Sequence, residues 1–104
     1  MDTTKSNYRA NLMDFECDPK KEAINLKKHG VSFEDAVLVF HDVARIEIYD
    51  KLANYQEDRW VTIGMAHEAI LYVVYTVRDG DSLRLISARK ANGNEQKQYR
   101  QAND

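Results

Sequence analysis

Apolar and polar positions change their period several times along this chain, and each change marks an element boundary. Met13 to Cys17 (MDFEC) alternates apolar with acidic residues and predicts a short strand. Asp18 followed by Pro19 is an N-cap with proline at the first helical position, and His29-Gly30 is a last-turn cation followed by a terminating glycine. Together they bracket a helix from about Pro19 to His29. Ser32 with Asp35 three residues on opens a second helix through Ala36-Val37-Leu38-Val39-Phe40. The period then becomes two: Arg45, Glu47 and Tyr49 alternate with Ile46 and Ile48, and Arg59, Val61 and Ile63 with Trp60 and Thr62. Ile70 to Arg78 is apolar on both faces and rich in β-branched and aromatic residues, as an interior strand at the centre of a sheet should be. Asp79-Gly80-Asp81 is a hairpin turn, after which Leu83 to Lys90 returns antiparallel. Asn92 with Glu95 caps a final polar helix through about Ala102. The predicted order is β-α-α-β-β-β-β-α, an α+β class with a mainly antiparallel sheet. Residues 1–12 read as a flexible extension and 13–104 as one domain.

Composition narrows the class further. The chain has 104 residues, 43% hydrophobic and 31% charged, with one proline and four glycines, which suits a single core and excludes collagen-like, low-complexity and multidomain architectures. Cys17 is the one cysteine, so no internal disulfide is possible, and the opening residues hold no apolar stretch suited to a secretory signal. The longest apolar run, Ala69 to Tyr75, falls far short of the roughly 20 residues a membrane-spanning helix needs. A soluble cytoplasmic protein with no membrane partner is the expectation.

A formal net charge of −2 hides a segregation. Residues 19–29 carry +4 and −1 and residues 82–104 carry +5 and −2, whereas residues 30–58 between them carry +2 and −7. Brought together by the fold, the two basic blocks would make one cationic patch for a polyanion; left apart, they are ordinary solvated faces. On the first helix Lys21, Asn25 and Lys28 fall at i, i+4 and i+7 with His29 at the edge of that arc, and stacked lysines of this kind suit a phosphate clamp or a base. Arg78 and Arg89 end two apolar strands and Arg59 starts another; such guanidinium groups need either an anionic ligand or structural partners such as Glu57, Asp58, Asp79 or Asp81. Tyr72, Tyr75 and Tyr99 offer flat faces for an unstacked base, with core packing as the competing reading, the stronger one for Tyr72. Ser87 and Lys90, beside Arg89, complete the basic strand. His29, His41 and His67 show no zinc-like spacing and the glycines form no phosphate-cradling motif, so no metal and no cofactor are expected.

The segments FECDPKKEAINLKKHGVSFEDAVLVF (Phe15 to Phe40), EDRWVTIG (Glu57 to Gly64), YTVRDGDSLRLISARKA (Tyr75 to Ala91) and the following E-x-x-x-Y (Glu95 to Tyr99) resemble the BrnT family of toxins from bacterial type II toxin-antitoxin pairs. The resemblance runs from about Met13 to Gln101. It implies a compact RelE-like fold, RNA cleavage without a metal, and neutralisation by a cognate antitoxin through which alone the complex would touch DNA. The family's polar motif positions fall on Lys21, Asn25, Lys28, His29, Arg59, Thr76, Arg78, Ser87, Arg89, Glu95 and Tyr99. Cys17 departs from the pattern, since the family commonly has an aromatic residue there.

The resulting expectation is an endoribonuclease in which the RNA 2′-hydroxyl attacks the neighbouring phosphate. Arg78 and Arg89, with Arg59, hold the phosphate charge; Lys21 and Lys28 position the backbone, one of them serving as a possible base; His29 or Tyr99 transfers a proton; Asn25, Tyr75, Ser87 and Lys90 complete the RNA contacts. The rival is a non-enzymatic binding module, acting as a gyrase poison or as the antitoxin-binding half of a repressor, whose basic face receives an acidic protein segment. Either way, Lys28 and Arg89 are expected to share one hollow.

Overall fold

The computed structural model describes residues 6–10, 13–50, 58–78 and 82–103; the predicted turn at residues 79–81 lies outside them. The strands are β1 (Ser6–Ala10), β2 (Met13–Cys17), β3 (Ile46–Tyr49), β4 (Trp60–Ala66), β5 (Ala69–Val77) and β6 (Leu83–Lys90). The helices are α1 (Pro19–His29), α2 (Phe33–Leu38), which runs into a 3₁₀ turn at Val39–His41, and α3 (Gly93–Ala102). One sheet takes the strands in the order β1-β2-β6-β5-β4-β3. All pairs are antiparallel except β2 with β6, so the sheet is mixed. The α+β order holds with one correction: where the sequence predicts a flexible extension, Ser6–Ala10 forms a strand paired with β2.

Local chemistry sets the helix ends. The Asp18 carboxylate accepts from the Lys20 N–H at 2.9 Å, and Gly30 takes φ 70°, a left-handed conformation that glycine adopts without steric cost. Ser32 caps α2 by accepting from the Asp35 N–H at 3.0 Å. Asn92 and Glu95 form a complete capping box at the start of α3.

Two apolar layers flank the sheet. Leu71, Val73 and Tyr75 of β5 join Phe15, Cys17, Phe33, Ala36, Val39, Phe40, Leu83, Leu85 and Ala88 in the larger core beneath α2. Ile70, Tyr72 and Val74 point the other way, toward Val61, Ile63, Ala91 and Tyr99 of α3. In β6 the alternation breaks once: Ser87 pairs with Val74 and Leu85 with Tyr75, leaving Ile86 as the extra residue of a bulge.

Among the described residues β2 meets β6 at Phe15–Leu83 and Glu16–Arg84, and beyond that point none of them adds a strand to the outer edge of β6. Asn25 of α1 supplies the hydrogen-bond partners there. Its buried amide donates to the Ala88 carbonyl at 2.8 Å, accepts from the Ala88 N–H at 3.1 Å, and donates its second hydrogen to the Val31 carbonyl at 3.0 Å. Gly64 makes a close approach on β4, where an added Cβ would lie 2.7 Å from Val39 Cγ1.

Asn25→Ala leaves three buried backbone groups without partners and is expected to lower stability by about 2–4 kcal/mol, read from the urea midpoint at unchanged slope. A loss below about 0.5 kcal/mol, the size of an ordinary surface substitution, would show that α1 is held by other contacts.

Candidate functional site

The face of the sheet that α3 partly covers gathers the arginines. On β5, Tyr72, Val74 and Thr76 occupy this face; Arg89 stands opposite Tyr72 and Arg84 opposite Thr76, with Glu16 of β2 opposite Arg84. Arg59 immediately precedes β4 and Arg78 immediately follows β5, at positions where continued alternation falls on the same side. Arg78 Nε lies 3.7 Å from Glu16 Oε1. The Thr76 hydroxyl donates to the Asp58 carbonyl and is itself fully buried, tying the approach to β4 against β5 beside Arg59.

Arg89 is held on two sides. Its Nη1 and Nη2 donate to the two Glu95 oxygens at 2.8 Å each, Nη1 also reaches the Lys90 carbonyl at 3.2 Å, and the guanidinium carbon lies 4.0 Å from the Tyr72 ring centroid. Glu95 Oε1 also accepts from the Asn92 N–H at 2.9 Å, so one carboxylate caps α3 and grips the strand. The hydrogen bond from Arg89 is the main cause holding the Glu95 carboxyl below its usual range, and the same bond raises Arg89. Nε–H and the second Nη2–H of Arg89 lie along the guanidinium edge that points away from Glu95, an edge suited to a bidentate phosphate.

α3 is anchored at its other end by Tyr99. Its hydroxyl donates to Asp42 Oδ2 at 2.6 Å and is pushed up to about 12 by that bond. Asp42 also accepts from the Met65 and Ala44 N–H groups, and these bonds with Tyr99 outweigh burial, leaving its carboxyl below the ordinary value. Asn103 closes the helix by donating to the carbonyls of Tyr99 and Ala44.

The basic residues singled out in the sequence lie on adjoining surfaces that meet at Ser87, which pairs with Val74 on the α3 face and also lines the α1 groove. Arg59, Arg78 and Arg89 share the α3 face, whereas Lys21, Asn25, Lys28 and His29 belong to α1 and line a groove of about 190 Å³ with Ile24, Ile86 and Ser87 at the open edge of β6. Ser87, at the bulge, is where the two approach one another. Three expectations need correction. Tyr75 is 4% exposed on the opposite face, packed edge-on to Phe40 at 5.3 Å; burial, with a bond to Glu47, pushes it up to about 12, so it offers no face to a base. Asn25 has both amide hydrogens and its oxygen bound to backbone, and is a strut. Tyr99 donates its hydroxyl hydrogen to Asp42, a bond that holds it protonated and anchors α3. Lys90 is exposed beside Ala91, Gln96 and Arg100 in a cavity of about 200 Å³.

Sequence reasoning counted Arg84 only within the basic block of residues 82–104 and overlooked Glu16. Arg84 and Arg89 are five residues apart, a spacing that regular alternation would send to opposite faces. Only the bulge aligns them. Glu16 alternates with Phe15 and Cys17 and reads as a solvated strand residue until β2 is seen to pair with β6. Among the described residues no group of three His, Cys, Asp or Glu side chains is arranged to hold a metal, and no helix is long and apolar enough to cross a membrane.

A small α+β protein with an arginine-lined sheet face is what these features define. The profile of the family described as ribonuclease toxin, BrnT, of type II toxin-antitoxin systems matches residues 17–95, and the chain belongs to that family. The crystal structure of the Brucella abortus ribonuclease toxin, BrnT, is similar over 73% of this chain and 92% of that one, with a TM-score of 0.58 and 26% identity. No curated protein matches the chain.

The lowered carboxyls of Glu95 and Asp42 stabilise the fold fully above their unfolded values of roughly 4, and that contribution is lost as pH falls through the lower folded values. Thermal melts should therefore drop steeply in acid, and Glu95→Gln should flatten part of that limb. Parallel curves for the two proteins would show that the Arg89–Glu95 pair contributes nothing measurable.

Proposed function

We propose that this chain is an endoribonuclease that cleaves RNA by attack of a 2′-hydroxyl on the adjacent phosphate, expelling the 5′-oxygen and leaving a 2′,3′-cyclic phosphate. The observation that carries this reading is the placement of Arg59, Arg78, Arg84 and Arg89 on one sheet face, with Arg89 locked by Glu95 and Tyr72 so that one bidentate edge is presented. A preorganised guanidinium meets the charge that grows on the phosphorane without having to reorganise as it forms. With cations supplied by side chains, the reaction calls for no metal.

Proton transfer falls to groups on the same face. Glu16, beside Arg78, takes the 2′-hydroxyl proton in this reading, and the departing 5′-oxygen takes its proton from water. His29 serves only an RNA strand that wraps the edge of β6 past Ser87. The substrate is RNA in the cytoplasm, and a cognate antitoxin neutralises the toxin and brings the pair to DNA.

Purified protein is incubated with naked RNA and excess EDTA, and the product ends are identified. Cyclic phosphate ends are expected. Arg78→Ala and Arg89→Ala should each lower the rate by about 10²- to 10³-fold, and the double variant should be inactive while unfolding cooperatively. Wild-type cleavage by the double variant would remove the proposed site. Intact RNA with tight antitoxin binding would favour a binding module. Glu16→Gln should lose activity where His29→Gln keeps it; the reverse would move proton transfer to α1.

A further inference from the structure

We infer that helix α1 is the docking seat for a protein partner, an acidic helical segment that sets one aliphatic side chain against Ile24. The inference rests on the reading of this chain as the toxin of a toxin-antitoxin pair, and the partner it describes is the antitoxin. Ile24 is 63% exposed. Its neighbours on the helix surface, three and four positions to either side, are Lys20, Lys21, Lys27 and Lys28, all of them exposed. An aliphatic side chain left in water is thus ringed by four ammonium groups, and Ile24 continues into the groove whose far wall is Ile86 and Ser87.

Four lysines gathered on one short helix surface raise its positive potential, and an exposed isoleucine adds nothing to the fold. A partner with a leucine-like residue flanked by carboxylates at helical spacing relieves both: it buries Ile24 and neutralises the lysines in one contact. RNA matches the ring but not its centre. The one aromatic ring on α1 is the imidazole of His29 in its last turn, five residues from Ile24, and an aliphatic centre offers nothing to a hydrated phosphate. The arginines moreover stand on the face that α3 partly covers, so this seat and the proposed RNA site use different side chains.

The probe is a fluorescein-labelled helical peptide with one leucine flanked by glutamates three and four positions away on either side. It is titrated with the full chain by fluorescence anisotropy, and RNA cleavage is measured on the same preparations. Saturable binding is expected, weakened at least about tenfold by Ile24→Ser or by replacing the peptide leucine with serine, the loss of one buried aliphatic contact. Ile24→Ser should cleave RNA at the wild-type rate, and Arg78→Ala with Arg89→Ala should bind the peptide normally. Lys20→Glu with Lys27→Glu should abolish binding, and added salt should weaken it. Equal binding of the leucine and serine peptides would overturn the proposal by showing that the surface reads charge alone. So would an absence of saturable binding, or displacement by single-stranded RNA coupled to lost cleavage in Ile24→Ser. Failure of the wild-type chain to cleave RNA would strike the ribonuclease reading and leave the peptide result standing.

Discussion

One extra residue in β6 governs the arrangement of this molecule. Leu83 and Leu85 on one side of Ile86 and Ala88 on the other all belong to the larger core, although their spacing would send them to different faces of an unbroken strand. The bulge reconciles them, and the same half-turn of the backbone brings Arg84 and Arg89 out together on the opposite face. A single irregularity thus keeps the core closed and collects the guanidinium groups. It falls opposite Val74 and Tyr75, in the most apolar strand of the sheet, where the flanking pairs hold the register on either side.

Holding a guanidinium in one pose requires opposition to its flexibility, and the structure supplies it from α3. Glu95 is bound at once to the helix cap and to Arg89, so rotation of Arg89 would disturb the first turn of the helix. Tyr72 closes the lower face of the guanidinium. At the far end of α3, the Tyr99–Asp42 bond and the two bonds of Asn103 keep the helix from sliding along the sheet. A half-buried bidentate pair is worth more than a surface ion pair because less solvent screens it and less side-chain freedom remains to be lost.

Charge is divided between two surfaces with different chemistry. The α3 face combines planar guanidinium groups with a carboxylate and a stacked tyrosine ring, a composition suited to phosphate. The α1 surface combines point-charge ammonium groups with exposed aliphatic carbon, a composition suited to a protein. Asn25 makes that division possible, because its amide stands in for a missing strand and fixes α1 at the edge of β6 with its lysines turned outward.

Local signals along the chain were enough for the helices, their caps, most strands and the mixed α+β class, because capping, proline and glycine preferences and the period of hydrophobicity act over only a few residues. Asp18-Pro19, His29-Gly30 and Asn92 with Glu95 each marked a boundary that the fold obeys. The strand at Ser6–Ala10 escaped notice since its stability comes from pairing with β2 and not from any pattern of its own. The basic residues were also visible, but not which of them would meet. That depended on the bulge at Ile86, on the short pairing of β2 with β6, and on Asn25 reaching Ala88 across 63 positions of sequence. Register and burial are set by partners distant along the chain, so only tertiary structure could turn Tyr75 into the core, commit Tyr99 to Asp42, and bring the lysines of α1 beside the arginine face at Ser87.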